Sequence, residues 1–305
     1  MKLGFLTVPF GDWSLEQVAG WAKENGFGAL EVACWPAGSG DARRYAGVTH
    51  IDVDSLDEAG ATQIQDMLGK LGIEISGLGY YPNNLHPDPG HREAVNEHTR
   101  KVIRAAALLE APVVNTFVGR DKTRSHPENM AEFRRVWPDL VAEAESANVK
   151  IGIENCPMLF SLDEWPGGNN LAYSPAIWRE MFDEIPSASF GLNFDPSHLI
   201  WQMIDVERAI YEFADRLVHV HAKDLEVRPD GLYEHGVMSL GMGWQVPRLP
   251  GLGDVRWDRF FAALYASGYD GPVIIEHEDR KFEGTEELII RGFHLARDVL
   301  RPYIV

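Results

Sequence analysis

Cysteine is scarce: only Cys34 and Cys156 occur in 305 residues. Two thiols make no disulfide framework, and their scarcity fits a reducing compartment. Basic residues are also few. The 28 Lys+Arg stand against 46 Asp+Glu, a net charge of −18 at pH 7 with histidine neutral. A phosphate backbone or an anionic membrane surface needs a basic face, so neither nucleic acid nor membrane is an expected partner. No window approaches the roughly 20 apolar residues of a membrane span. The first residues lack the long apolar stretch and cleavage site of a secretory signal, so a cytoplasmic protein is expected. Also missing is G-x-G-x-x-G after the first apolar run, where the text is Pro9-Phe10-Gly11-Asp12. That absence argues against a dinucleotide-binding doubly wound sheet.

What is present is ordinary globular composition, 45% hydrophobic and 24% charged, which excludes a disordered chain. Short β-branched runs alternate with longer segments of helical period. The runs are 2–9, 29–34, 73–80, 112–119, 150–156, 190–195, 217–222 and 272–277. The helical segments begin at Ser14, with Gln17 three residues on as a capping box, and continue over 55–71, 91–110, 127–147, 174–183, 206–214, 255–267 and 283–300. Eight strands, each followed by a helix, give an α/β fold of the (β/α)8 TIM-barrel type. Barrels of this length are routinely one domain, so residues 1–305 are expected to form a single barrel. The longest loops, 35–54, 81–90, 157–173 and 225–254, follow strands and should cover a pocket at the barrel's C-terminal face.

Four consecutive strands end in groups that carry chemistry. The fifth ends Ile153-Glu154-Asn155-Cys156. The sixth ends Asn193-Phe194-Asp195-Pro196-Ser197-His198. The seventh ends His219-Val220-His221-Ala222-Lys223-Asp224, and the eighth Ile275-Glu276-His277-Glu278. Period-two alternation puts Glu154 on the face of Gly152, Asp195 on that of Asn193, His221 on that of His219 and Lys223, and Glu276 on that of Ile274. Three carboxylates converging in a barrel mouth must be protonated, paired or bound to metal. Three carboxylates and one imidazole make a mostly hard set that suits one divalent metal ion, Mn²⁺ foremost, with Mg²⁺, Co²⁺ and Zn²⁺ compatible. Taken singly, a histidine or glutamate at a strand end is more often structural or solvated. That reading applies to His219 and Glu278, and His50, His91, His98, His126 and His294 read as surface or packing residues.

These strand ends resemble the sugar phosphate isomerase/epimerase superfamily, which has the xylose-isomerase-like TIM barrel and includes ketose 3-epimerases and inosose dehydratase. The approach Gly251-Leu252-Gly253-Asp254 and Gly268-Tyr269-Asp270-Gly271-Pro272 also looks like that family. The resemblance implies metal ligands Glu154, Asp195, His221 and Glu276, with Glu154 and Glu276 doubling as the catalytic acid/base pair. It implies substrate contacts by His198, Lys223 and Asp224, and more loosely by Asn84, His86 and Asn115. Trp35, Tyr80 and Tyr81 could stack on a sugar ring, although packing around loops is an equal role for such aromatics.

The implied activity is that of an isomerase or epimerase on a sugar or keto-polyol, acting by proton transfer next to a carbonyl. The alternative is a dehydratase or hydratase, a lyase on a keto-sugar or keto-inositol. Residues 80–88 are slightly more similar to the inosose-dehydratase side of the family. Small-molecule substrates and a homo-oligomer fit this family. A metal-binding subunit without turnover is the other class. The related apurinic endonucleases fit poorly, because the loop 228–235 lacks Asp-x-His and Asn115 stands where those enzymes carry a histidine.

Overall fold

A computed structural model describes residues 1–38, 47–159, 168–237 and 243–305. Parts of three of the long loops expected from the sequence lie outside those residues. The strands are β1 (Leu3–Leu6), β2 (Ala29–Ala33), β3 (Glu74–Gly79), β4 (Val113–Thr116), β5 (Lys150–Glu154), β6 (Phe190–Phe194), β7 (Leu217–Ala222), β8 (Asp224–Val227), β9 (Gln245–Arg248) and β10 (Val273–Ile275). Eight of them form a closed barrel in the order β1-β10-β7-β6-β5-β4-β3-β2, and β8 and β9 form a separate two-stranded sheet. Every barrel pairing is parallel. The seam pairs Leu3 with Val273 and Phe5 with Ile275, and the Met1 ammonium donates to the carbonyl of Val305 at 3.1 Å.

The helices are α1 (Leu15–Glu24), α2 (Glu58–Leu71), α3 (Pro89–Leu108), α4 (His126–Ser146), α5 (Pro175–Glu184), α6 (Ser197–Ile200), α7 (Val206–Glu212), α8 (Pro229–His235), α9 (Trp257–Ser267) and α10 (Glu286–Leu300). Local capping fixes their starts. Ser14 and Gln17 form the expected capping box. The second helix starts at Glu58 rather than 55, because Asp57 caps it by accepting from the Gly60 amide at 2.8 Å. The third starts at Pro89, behind the Asp88 cap. The last starts at Glu286, capped by Thr285. Among the described residues no helix is long and apolar enough to cross a membrane.

The apolar core lies between barrel and helices. Ile151, Ile153, Leu192, Phe194 and Val220 point outward and are fully buried there. The seam is closed by rings: Phe293 of α10 sits 4.7 Å from Phe5 and 5.3 Å from Phe10. Inside, the barrel is polar. Glu31, Ser76, Asn115, Asn193 and His219 are all buried there, and glycines make the room for them. A Cβ at Gly152 would fall 2.4 Å from Oδ1 of Asn115, and one at Gly79 would fall 2.8 Å from Oε1 of Glu31.

Candidate metal centre at the barrel mouth

Glu154 ends β5, Asp195 follows β6, His221 lies near the end of β7 and Glu276 follows β10. These strands are consecutive in the barrel order, so the four side chains line one arc of its C-terminal rim. One ligand atom from each lies within 4.8 Å of every other. Glu154, Asp195 and His221 are buried. The arc is fixed by backbone clasps. The Asn155 amide group donates to the carbonyl of Asp195 at 2.9 Å, and the Asp195 amide donates back to Oδ1 of Asn155 at 2.8 Å. Asn170 donates to the carbonyls of Glu154 and Cys156.

The imidazole of His221 is held from behind. Its Nε2 lies 2.7 Å from Oε2 of Glu31, and Glu31 also accepts from the Tyr81 hydroxyl. Nε2 therefore donates to Glu31, and Nδ1 faces the carboxylates, 3.3 Å from Oε2 of Glu276. His219, deeper on the same face, bridges Asn193 at 2.9 Å and Ser76 at 3.2 Å, which is the structural role its sequence position suggested. Glu31 escaped the sequence reading. Its signal was a lone acid inside the apolar run Ala29-Leu30-Glu31-Val32-Ala33, the sort of residue a covered strand admits only for a partner.

Lys223 is buried and gathers the acids. Its Nζ lies 2.6 Å from Glu276, 3.0 Å from Asp195, 3.1 Å from Glu278 and 3.9 Å from Glu154. His198 Nε2 sits 3.3 Å from Oε1 of Glu154 and 3.2 Å from Oδ2 of Asp195. The electrostatics separate the carboxylates. Burial, reinforced by the charge of Glu276, pushes Glu154 up to about 7. Burial also disfavours the charged forms of Glu276 and Asp195, but nearby cations win. Lys223 and His221 hold Glu276 down to about 2, and Lys223 and His198 hold Asp195 well below the usual range.

The donor set fits a divalent ion. Oδ2 of Asp195 and Nδ1 of His221 are buried and meet only charged neighbours, Lys223 and His198 for the first and Glu276 for the second, and both residues belong to the four-residue cluster. The oxygen-rich set is hard, and its acids would be stabilised by a cation among them.

The remaining expected substrate contacts divide. His198 and Lys223 lie in the centre. Trp35 is close: its ring is 6.0 Å from that of Tyr81, which is 6.2 Å from His221, and its buried indole N–H is unpartnered. Asn115 is buried inside the barrel with both side-chain polar atoms unpartnered. Three expectations need correction. Asp224 accepts four bonds, from the amides of Leu225, Gly251 and Val255 and the Trp257 indole. No lone pair remains for a substrate, and its role is to anchor the 249–257 segment. Asn84 is spent on Thr116, Phe117 and Thr99. His86 accepts from the Asp88 amide and packs on His91 at the start of α3, instead of joining the carboxylates.

Comparison with known proteins bears on the fold. The model of the family described as xylose isomerase-like TIM barrel matches residues 19–299. The chain is 26% identical over 313 residues to the uncharacterized protein YfiH of Bacillus subtilis, with 92% of this chain and 93% of that protein covered. It superposes on the IOLI protein with a bound zinc atom at TM-score 0.72 and 18% identity, covering 99% of each chain. It superposes on D-psicose 3-epimerase of Clostridium cellulolyticum H10 at TM-score 0.70 and 15% identity, covering 100% of this chain and 99% of the other. At such identities the two structures show likeness of fold. The family match spans nearly the whole chain, and the chain belongs to the xylose isomerase-like TIM-barrel family.

Proposed function

We propose that this chain is a divalent-metal-dependent isomerase or epimerase that transfers a proton at the carbon beside the carbonyl of a sugar or keto-polyol. The observation that carries this reading is the convergence of Glu154, Asp195, His221 and Glu276 on one point of the barrel mouth. The likeness to a ketose 3-epimerase and to a zinc-bound barrel supports it. A bound divalent ion supplies positive charge beside the substrate's carbonyl and hydroxyl oxygens, where negative charge builds as the carbon loses its proton.

The two glutamates come from the first and last strands of the arc, so they approach a substrate in the mouth from its two ends. Their proton affinities are set apart, as a donor and an acceptor require. Glu276, held down to about 2, is the carboxylate that takes the proton. Glu154, whose proton affinity burial raises, is the group that returns one. Return to the opposite face of the same carbon gives epimerisation, and return to its neighbour gives isomerisation. Lys223 and His198 hold substrate oxygens, and the free Trp35 N–H donates to a hydroxyl.

The test is a screen of keto-sugars and keto-polyols in D2O with Mn²⁺ present, following deuterium incorporation. We expect exchange at the carbon next to the carbonyl, falling roughly 100- to 10,000-fold in Glu154→Gln and Glu276→Gln. Net loss of water from a substrate would move the chain to the lyase side of its family. Exchange undiminished in both variants would overturn the assignment of the glutamates.

A further inference from the structure

Cys156 stands two residues past Glu154, beyond the end of β5, and His198 lies in α6 just after Asp195. One ligand atom each from Glu154, Cys156 and His198 lies within 4.8 Å of the others. The thiol is free of any disulfide and only partly buried, so it can be reached from the mouth. Its sulfur accepts from the Met158 amide at 3.2 Å, which turns a lone pair toward backbone and leaves others free. Nε2 of His198 is buried and turned toward the acids, 3.3 Å from Oε1 of Glu154 and 3.2 Å from Oδ2 of Asp195. Among the described residues this is the one cluster of potential ligands that contains a thiol; Cys34 is fully buried just past β2 and its thiol meets the Val32 carbonyl.

We propose that Glu154, Cys156 and His198 form a second cation site, selective for a soft divalent ion such as Zn²⁺ and sharing Glu154 with the four-residue centre. Thiolate, imidazole and carboxylate are the ligands Zn²⁺ favours, and three protein ligands leave its fourth position open. The four-residue centre has no sulfur and suits harder ions, so one mouth sorts two ion classes. A carboxylate shared by two ions 3.5–4 Å apart is a common arrangement in two-metal sites. On binding, the Cys156 thiol gives its proton to solvent and a metal–sulfur bond replaces it. The regulatory consequence rests on the proposed function: an ion here engages the Glu154 carboxylate from a second side and competes with substrate for it, so excess zinc slows turnover.

The test is a Co²⁺ titration of the full chain, following the near-ultraviolet thiolate-to-cobalt absorption band. We expect two equivalents bound, one of them producing the band, with the band and one equivalent lost in Cys156→Ser. Absence of the band in the wild type, or its persistence in Cys156→Ser, overturns the site. One equivalent that carries the band keeps this site and sinks the four-residue centre. One equivalent without the band does the reverse. A second measurement guards against misfolding of the variant. Alkylation of Cys156 in the wild type, mapped by mass spectrometry, should slow at least tenfold with Zn²⁺ added, and an unchanged rate also overturns the site.

Discussion

An imidazole that binds a cation has two nitrogens, and the one turned away decides which tautomer faces the ion. In this barrel Glu31 makes that choice for His221, at 2.7 Å from Nε2. Glu31→Gln keeps the shape and removes the charge. The expected result is a 10- to 100-fold loss of affinity at the four-residue centre, measured by Mn²⁺ titration calorimetry, with thermal stability followed in parallel. Unchanged affinity would show that Glu31 serves packing alone. The four converging side chains were legible in the sequence because each is a polar residue at an inward position on successive strand ends. Glu31 was not, because nothing local names its partner: His221 is 190 residues away and meets it only across the closed barrel. Asp224 misled for the opposite reason. It follows Lys223 in an H-x-K-D ending, but alternation turns it away from its neighbour and into the backbone amides beyond.

At the level of elements, the eight barrel strands and most helices were readable from hydrophobic period, because each strand is covered on its outer side and each helix has one apolar face. The excursion after β7 was not. The segment 225–254 reads as loop, yet it contains the β8–β9 hairpin and α8. The hairpin's register, Asp224 opposite Arg248, is set by tertiary contacts. Arg248 reaches Asp279 at 3.2 Å as well as Glu226, and Asp224 ties down three amides and an indole. Asp224→Asn keeps the shape, loses the charge and places an amide donor against donors. It should cost about 2–3 kcal/mol, read from the midpoint of urea unfolding. It should also speed hydrogen exchange at the Gly251 and Val255 amides. A shift below about 0.5 kcal/mol would mean that the anchor is dispensable. Helix starts slipped by one to three residues where the capping residue, such as Asp57 or Thr285, was not singled out in advance.

Over the whole molecule, two histidines, the half-buried His50 and the buried His98, tie stability to pH. His50 donates from Nε2 to the Phe10 carbonyl at 3.1 Å, and its Nδ1 faces the Thr7 hydroxyl at 3.0 Å. That hydroxyl itself accepts from the Ala33 amide. His98 donates to the Cys34 carbonyl at 2.8 Å. Burial lowers both groups below the ordinary 6.5. The unfolded chain therefore takes up protons first on acidification. Their contribution is present above pH 6.5 and is lost as the pH falls below it toward the folded values. Melting temperatures from pH 8 to 5 should show this as a falling limb that is shallower in His50→Gln, since glutamine cannot take up the proton. Parallel curves for the two proteins would remove His50 from the account.

The seam between β1 and β10 sets the order in which this chain can be finished. The partners Leu3 and Val273 lie far apart in the sequence, so a chain leaving the ribosome exposes one edge of β1 until Val273 has been made. The strand that covers that edge is followed at once by Glu276, the last of the three acids and one imidazole at the mouth to be synthesised. A nascent chain thus gains its full set of ligands at the moment its open edge disappears. For a cation bound as proposed, capture comes last, and an ion that binds only the completed mouth draws the closing equilibrium toward the finished barrel.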